Sequence, residues 1–394
     1  MRLLFVKPTL SWPRSSGHDV HCSQMMRALA DRGHEVSLAT VDVPSSEALD
    51  GLELTRHHRL DGGAPGSESA LEIPATRFQE RFRSYWGIDR SRVRAVALAA
   101  REDRADAVVA VGLDVLPYLL GVADALRVWY AADEWTWHHL SLLRVGRPDT
   151  WEHAKQALVK GLYERAYAPI LDRVWVVSEA DRRAMRRVAG ARIVDVIANG
   201  VDAEHYRPLN VPDGERTCVF WGRLDFEPNI QALEWFCHRV WPLVRREAPD
   251  ARFAIYGFHP SAAVRAFADR DGIELFADVP DLREEVARHQ IVVLPFVSGG
   301  GIKNKLLEAS AMARPIVCSS RALGGLRGEG DLPFVEAAGE RDWTRALLDL
   351  WRDELRRRRL GAAARDWVVS HHGWGAAAQL AEQALGCPVT GMRS

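Results

Sequence analysis

The run Leu294-Pro295-Phe296-Val297-Ser298-Gly299-Gly300-Gly301-Ile302-Lys303-Asn304-Lys305-Leu306-Leu307-Glu308-Ala309 sets three glycines between an apolar, strand-like stretch and a segment with helical spacing. Glycines let a ligand approach the main chain, and the N–H groups and dipole at a helix start attract anions. The spacing predicts a helix from about Ile302, which puts Lys303 and Lys305 in its first turn. Cations there oppose the dipole, and a nearby phosphate offsets that conflict. Glu308 follows one to two turns later, where a carboxylate can accept from a pair of sugar hydroxyls. The same residues also read as a glycine-rich strand-to-helix turn with solvated lysines, and a motif alone leaves both readings open.

A second strand-to-helix junction is Phe220-Trp221-Gly222-Arg223-Leu224-Asp225-Phe226-Glu227-Pro228-Asn229. Arg223 stands at the strand's carboxyl end, where a guanidinium either forks onto phosphate or makes a structural ion pair. A third segment, Tyr130-Ala131-Ala132-Asp133-Glu134-Trp135-Thr136-Trp137-His138-His139, also follows a strand. Asp133 can take an acceptor's proton, or it caps a helix. Trp135 and Trp137 can stack on sugar rings or fill the core. His138 and His18 are acceptor-side candidates, with packing or surface histidines as the plainer reading.

These junctions need strands and helices in alternation, and the hydrophobic pattern supplies them. Strands are predicted at Leu3–Val6, Glu35–Val41, 107–111, 128–132, 174–178 and 193–197. Helices are predicted over 19–31, 113–125, 151–171 and 179–189. After a polar stretch over 201–215, read as a linker, strands recur at 217–221, 252–256, 273–276, 291–294 and 316–318. A long helix over 230–247 lies among them, and a last one over 373–385. Strand–helix alternation implies right-handed crossovers and mainly parallel sheets, so the expected class is α/β with two doubly wound domains in tandem.

The chain has 394 residues, enough for two or three domains. With 52 Lys+Arg against 53 Asp+Glu it lacks the positive excess of a nucleic-acid coat, so no nucleic-acid partner is expected. The 5 cysteines are scattered, with no Cys-x-x-Cys, which suits a reducing compartment and gives no metal site. The apolar start over 1–8 is too short for a signal peptide, and the apolar region 107–132 is broken by Asp114, Pro117, Asp124 and Arg127. A cytoplasmic protein is expected. Arg77-Phe78, Arg81-Phe82-Arg83, Tyr85-Trp86 and Arg90, Arg92 and Arg94 interleave basic and aromatic residues. That run is either a peripheral patch for the inner membrane face or a solvated arginine face over a core stripe.

Ser178-Glu179-Ala180-Asp181, Asn199-Gly200-Val201-Asp202 with Tyr206-Arg207-Pro208, Gly222-Arg223-Leu224-Asp225-Phe226, Pro228-Asn229 and Gly299 to Glu308 occur in order. In this they resemble GT-B glycosyltransferases of the large retaining family 4, in particular the branch carrying Gly-Gly-Gly-Ile-Lys-Asn-Lys. The resemblance implies two Rossmann-like domains facing across a cleft. Residues 1–205 would form the acceptor-side domain, 206–370 the nucleotide-sugar domain, and 371–394 a helix crossing back. It implies a nucleotide-diphosphate sugar donor, UDP- or GDP-linked, and a glycan, lipid-linked or small-molecule acceptor, with no separate cofactor. By it, Glu308 holds the ribose, Arg223 the diphosphate, and Gly17 lets the first loop approach that diphosphate. Two positions depart from the pattern. Gly300 stands where many members have a second glutamate, so donor contacts there fall to the main chain of Gly300, Gly301 and Ile302. Pro228 stands where many have a lysine, and Lys303, with Lys305, is inferred to supply that charge.

The expected catalytic set is therefore Asp133, Arg223 and Lys303 in a retaining transferase of the hexosyl type. A sugar-nucleotide epimerase on the same fold, or a non-catalytic sugar-nucleotide-binding subunit, are the competing readings, the latter because of Gly300 and Pro228.

Overall fold

The structure is a computed structural model that describes residues 1–11, 17–60, 73–80, 89–132, 139–140, 143, 150–279, 281–326 and 330–386. Packing divides the chain into two compact units, Met1–Ala198 with Ala377–Ser394, and Asn199–Ala376.

In the first unit seven parallel strands lie in the order β3-β2-β1-β4-β5-β6-β7. They are β1 (Arg2–Lys7), β2 (Glu35–Thr40), β3 (Leu54–Arg59), β4 (Ala107–Val111), β5 (Leu126–Ala132), β6 (Arg173–Val176) and β7 (Val194–Val196). The central strands read as continuous apolar runs because helices cover both faces of a parallel sheet. Every residue of β4 is buried, and Phe5 pairs with Leu38 on one side and Val109 on the other. The helices start on side chains that accept otherwise orphaned N–H groups. Asp89 accepts from Ser91 and Arg92 before the helix Arg90–Glu102, and Ser178 accepts from Asp181 before Glu179–Val188.

The second unit repeats the plan with six parallel strands in the order β10-β9-β8-β11-β12-β13. These are β8 (Thr217–Arg223), β9 (Arg252–Phe258), β10 (Ile273–Ala277), β11 (Ile291–Leu294), β12 (Ile316–Cys318) and β13 (Val335–Glu336). Val219 on β8 pairs with Ala254 on β9 and with Val292 on β11. Phe236 anchors the covering helices, its ring centroid 4.8 Å from Phe253 and 5.7 Å from the fully buried Trp343. In both sheets the order reverses at one place, between β1 and β4 and between β8 and β11. Ligands of doubly wound folds bind outside the carboxyl ends of the strands at such a point.

Three elements differ from the expectation. The stretch 113–125 is no α-helix: only Leu116–Gly121 coils, as a wholly buried 3₁₀ turn. Gly121 lies against Val93, where an added Cβ would stand 2.8 Å from the carbonyl oxygen, so the turn ends on a glycine that packs closely on the helix Arg90–Glu102. The long helix begins at Glu227 and contains a π-helical segment, Phe236–Val240, just before Pro242. Proline has no N–H for the regular ladder, and the widened turn absorbs the fault. Val201, expected to open a linker, pairs with Gly373 inside the second unit, its N–H donating to His372 O at 2.7 Å. The last helix, Trp374–Gly386, starts in the second unit, and its residues from Ala377 belong with the first. Among the described residues no helix is long and apolar enough to cross a membrane.

Candidate functional site

Arg223 is the last residue of β8. The preceding Gly222 has φ +146°, and on the paired position of β9 Gly257 has φ +156°. A Cβ on Gly257 would sit 1.8 Å from Gly222 O, so glycine is required for this strand end to keep its path. Asn229, in the first turn of the following helix, donates from Nδ2 to Arg223 O at 2.7 Å and fixes the junction. The Arg223 guanidinium forms a fork with the Asp225 carboxylate, at 3.0 Å from Nε and 2.9 Å from Nη2. Both side chains are substantially exposed, 42% and 38%. A pair this exposed contributes little to stability, so the guanidinium can exchange partners at small cost.

The loop after β11 bends through Gly299 and Gly301, at φ +88° and +63°. These values are open to glycine and costly for other residues. A Cβ on Gly325 would stand 2.6 Å from Gly301 O, so a second glycine backs the loop. The helix then begins at Asn304, two residues later than expected. Lys303 is therefore not in the first turn. It holds the extended N-cap position, and Lys305 alone lies inside the turn. The side chain of Lys303 donates from Nζ to Gly300 O and lies 5.3 Å over the Phe296 ring. Asn199 steadies the helix start by donating to Asn304 Oδ1 at 2.9 Å.

Lys305 reaches back beneath this loop. Its Nζ donates to Asn229 Oδ1 at 2.9 Å and lies 4.7 Å and 5.0 Å from the ring centres of Phe220 and Phe296. Burial pulls its pKa down to about 7, with Glu308 opposing and Lys303 reinforcing the shift. Glu308, one turn further on, accepts from Trp221 Nε1 at 3.0 Å. Burial raises the pKa of its carboxyl, while the Trp221 bond, the Lys305 charge and a hydrogen bond from Tyr206 act the other way. The charge of Glu308, followed by burial, raises that of the Tyr206 phenol in turn. Burial thus pushes Lys305 and Glu308 each toward the neutral form, because it withdraws the charge from water.

Arg223, Gly300, Gly301, Ile302, Lys303 and Glu308 thus lie on β8 and on the loop and helix after β11, the two strands between which the sheet order reverses. Trp221, Asn229 and Tyr206 carry no site role in the sequence reading. Their signal was only adjacency to the motif, because their partners are distant in the chain.

In the first unit Gly17 opens the helix Gly17–Ala30, with His18 second. His18 lies beside Gly112 at the end of β4, where an added Cβ would be 3.7 Å from its Nδ1. Lys7 and Asp19 form a nearly buried ion pair at 2.7 Å close by. Burial raises the pKa of Asp114, opposed by the charges of His18, Lys160 and Lys7. The carboxyl end of the first sheet is therefore polar too. Asp133, Trp135, Trp137 and His138 lie outside the described residues, as does the 81–88 part of the basic–aromatic run. Of that run, Arg92 pairs with Asp89 at 3.3 Å and donates to Tyr118 Oη at 3.3 Å.

Solved structures of the same architecture exist. A sucrose-phosphate synthase from Thermosynechococcus elongatus superposes with a TM-score of 0.70 at 16% identity, over 97% of this chain and 98% of that one. The Anabaena protein Alr3699/HepE, in complex with UDP and glucose, gives 0.70 at 12% identity over 98% and 100%. A variant of TarM from S. aureus, in complex with fondaparinux, alpha-GlcNAc-glycerol and UDP, gives 0.69 at 11% over 98% and 100%. No curated protein matches the sequence. Residues 15–205 match the family model described as Glycosyltransferase Family 4, and residues 215–353 the one described as Glycosyl transferases group 1. The chain is a GT-B glycosyltransferase. In this glycosyltransferase Arg223, Lys303, Lys305 and Glu308 all fall within the group 1 match, and Gly17, His18 and Asp133 within the family 4 match.

Proposed function

We propose that this glycosyltransferase moves a sugar from a nucleotide-diphosphate sugar to a hydroxyl of a glycan, lipid-linked or small-molecule acceptor, with retention at the anomeric carbon and without a metal. The observation that carries the reading is the convergence of Arg223, Lys303, Lys305 and Glu308 on the carboxyl ends of β8 and β11, around a loop bent by Gly299 and Gly301. Glu308, held by Trp221, takes the ribose hydroxyls. The main chain of Gly300, Gly301 and Ile302 and the first-turn amides of the helix Asn304–Ala311 take the diphosphate, together with Lys303 and Lys305. Arg223 leaves Asp225 and joins them. As the bond from the anomeric carbon to the phosphate oxygen breaks, negative charge grows on the leaving diphosphate, and these groups stabilise it where it develops. The acceptor oxygen attacks the same face, and its proton passes to the leaving phosphate oxygen or to Asp133. The first unit, with His18, Trp135, Trp137 and His138, is the acceptor side.

A UDP-linked donor is favoured over a GDP-linked one by analogy with Alr3699/HepE and TarM, both of which were solved with UDP. The resemblance around Gly-Gly-Gly-Ile-Lys-Asn-Lys supports the family 4 branch and a hexosyl donor, and the scattered cysteines support a cytoplasmic location.

The test is to incubate the protein with UDP-, GDP- and dTDP-sugars and follow nucleoside-diphosphate release. One donor is expected to be hydrolysed slowly, faster with an acceptor, and with retained configuration in the glycoside. Binding without turnover would make the chain a sugar-nucleotide-binding subunit. Conversion of the donor to its epimer without release would make it an epimerase.

A further inference from the structure

We propose that the exposed face of the helix Thr150–Tyr167, in the first unit, docks on an anionic lipid surface. The helix buries Ala157, Tyr163, Glu164 and Tyr167. Its exposed positions are Trp151, Glu152, Lys155, Leu158, Leu162 and Arg165. At about 100° per residue, Trp151, Lys155, Leu158, Leu162 and Arg165 fall within an arc of about 80° opposite the buried side, along about 21 Å of helix. Trp151 is 80% exposed, Leu158 65% and Leu162 40%. Single exposed leucines need no explanation, but a tryptophan and two leucines on one line of an otherwise well-packed helix do.

The charges on the stripe select the occupant. Lys155 and Arg165 share it with the apolar residues, and the one exposed acid, Glu152, lies off the line and is paired with Lys155 at 3.6 Å. Arg77 is exposed on the neighbouring helix Arg77–Glu80, which is tied on where Gln79 Nε2 donates to Ala166 O at 2.9 Å. Large apolar side chains flanked by lysine and arginine are what a helix lying in a headgroup layer presents, the apolar groups entering the acyl boundary and the cations meeting anionic lipid. Two copies of the chain meeting on this face would set cation against cation. The helix itself carries none of the residues given a part in sugar transfer above, so the proposal can fail while that reading stands.

The test is sedimentation of the full chain with phosphatidylcholine vesicles, with and without roughly 30% phosphatidylglycerol. The chain is expected to sediment with the anionic vesicles and to be released by salt. The triple variant Trp151→Ala, Leu158→Ala, Leu162→Ala should bind at least about tenfold less, since each side chain contributes apolar area to the layer. Lys155→Glu with Arg165→Glu should lose the preference for anionic vesicles. Donor hydrolysis should be unchanged in both, which shows that the fold is intact. Failure of the wild type to bind anionic vesicles would overturn the proposal, and so would full binding by the triple variant. A wild-type dimer in light scattering that the triple variant abolishes would also overturn it, making the face a contact between copies. Should the triple variant not fold, the charge variant decides: unchanged vesicle preference sinks the idea.

Discussion

Trp221 Nε1 donates to Glu308 Oε2 at 3.0 Å, joining the end of β8 to the helix after β11 across 87 residues of sequence. The bond orients the carboxylate and offsets part of the rise in pKa that burial imposes on it. A carboxylate aimed in this way can accept from two vicinal hydroxyls without first reorganising, and preorganisation of that kind is what makes a binding group effective.

Trp221→Phe keeps the ring and removes the N–H. Donor and nucleoside-diphosphate affinity should fall about tenfold, the scale of one hydrogen bond to a charged group. Glu308→Gln should cost more, because it removes both the charge and half the acceptor capacity. Isothermal calorimetry measures both. Equal affinity in Trp221→Phe and wild type would remove the orienting role.

Lys305 sets a pH dependence. Its folded-state pKa, about 7, lies well below the ordinary lysine value of 10.5. Between these two values the unfolded chain binds the extra proton, so ligand-free stability should rise with pH across that window. Lys305→Met should flatten that rise and raise the melting temperature near neutral pH, while weakening diphosphate binding. Wild-type binding above pH 7 should take up a proton, seen as a buffer-dependent binding enthalpy. A pH-independent melting curve from about pH 7 to 10 would contradict the assignment.

Arg223 and Asp225 should behave oppositely. Asp225→Ala breaks an exposed pair and should change stability by less than about 1 kcal/mol. It frees the guanidinium, so donor affinity should hold or improve. Arg223→Ala should lower turnover more than donor affinity, since the growing charge of the leaving group is what it meets. Steady-state kinetics of both variants separate the cases.

Lys303→Ala should weaken donor binding strongly, because Lys303 is the cation nearest the glycine loop, with Nζ on Gly300 O. Unchanged donor affinity would transfer the role wholly to Lys305.

Gly257→Ala tests the scaffold rather than the chemistry. The new Cβ would overlap Gly222 O at 1.8 Å, and the residue would hold φ +156°. A loss of about 3 kcal/mol or more is expected, with β8 displaced at the point where Arg223 leaves it. Urea unfolding of the variant provides the measurement.

The strands that build the site were legible because their signal is local. The apolar run 291–294 and the strand 316–318 fall where the pattern puts them, since a parallel strand covered on both faces needs little more than consecutive apolar residues. The start of the helix at Asn304 was misread by two residues. Ile302 and Lys303 fit the helical spacing, but the left-handed bend at Gly301 delays the first turn. The stretch 113–125 reads as helix from its apolar spacing, whereas only Leu116–Gly121 coils, as a 3₁₀ turn with Pro117 in its first turn and Gly121 packed against Val93.

Residue types and their spacing alone determined that two parallel α/β units would form and that glycines, lysines and a glutamate would meet at a strand end. Only the tertiary structure decided how those groups are held. Phe220 and Phe296 both lie against the Lys305 ammonium, Trp221 and Tyr206 engage Glu308, and Asp225 holds Arg223. The physical reason is that hydrophobic periodicity is set by neighbours in the chain. The partners of a buried charge are set instead by which strands lie side by side, and here those strands are more than sixty residues apart in sequence.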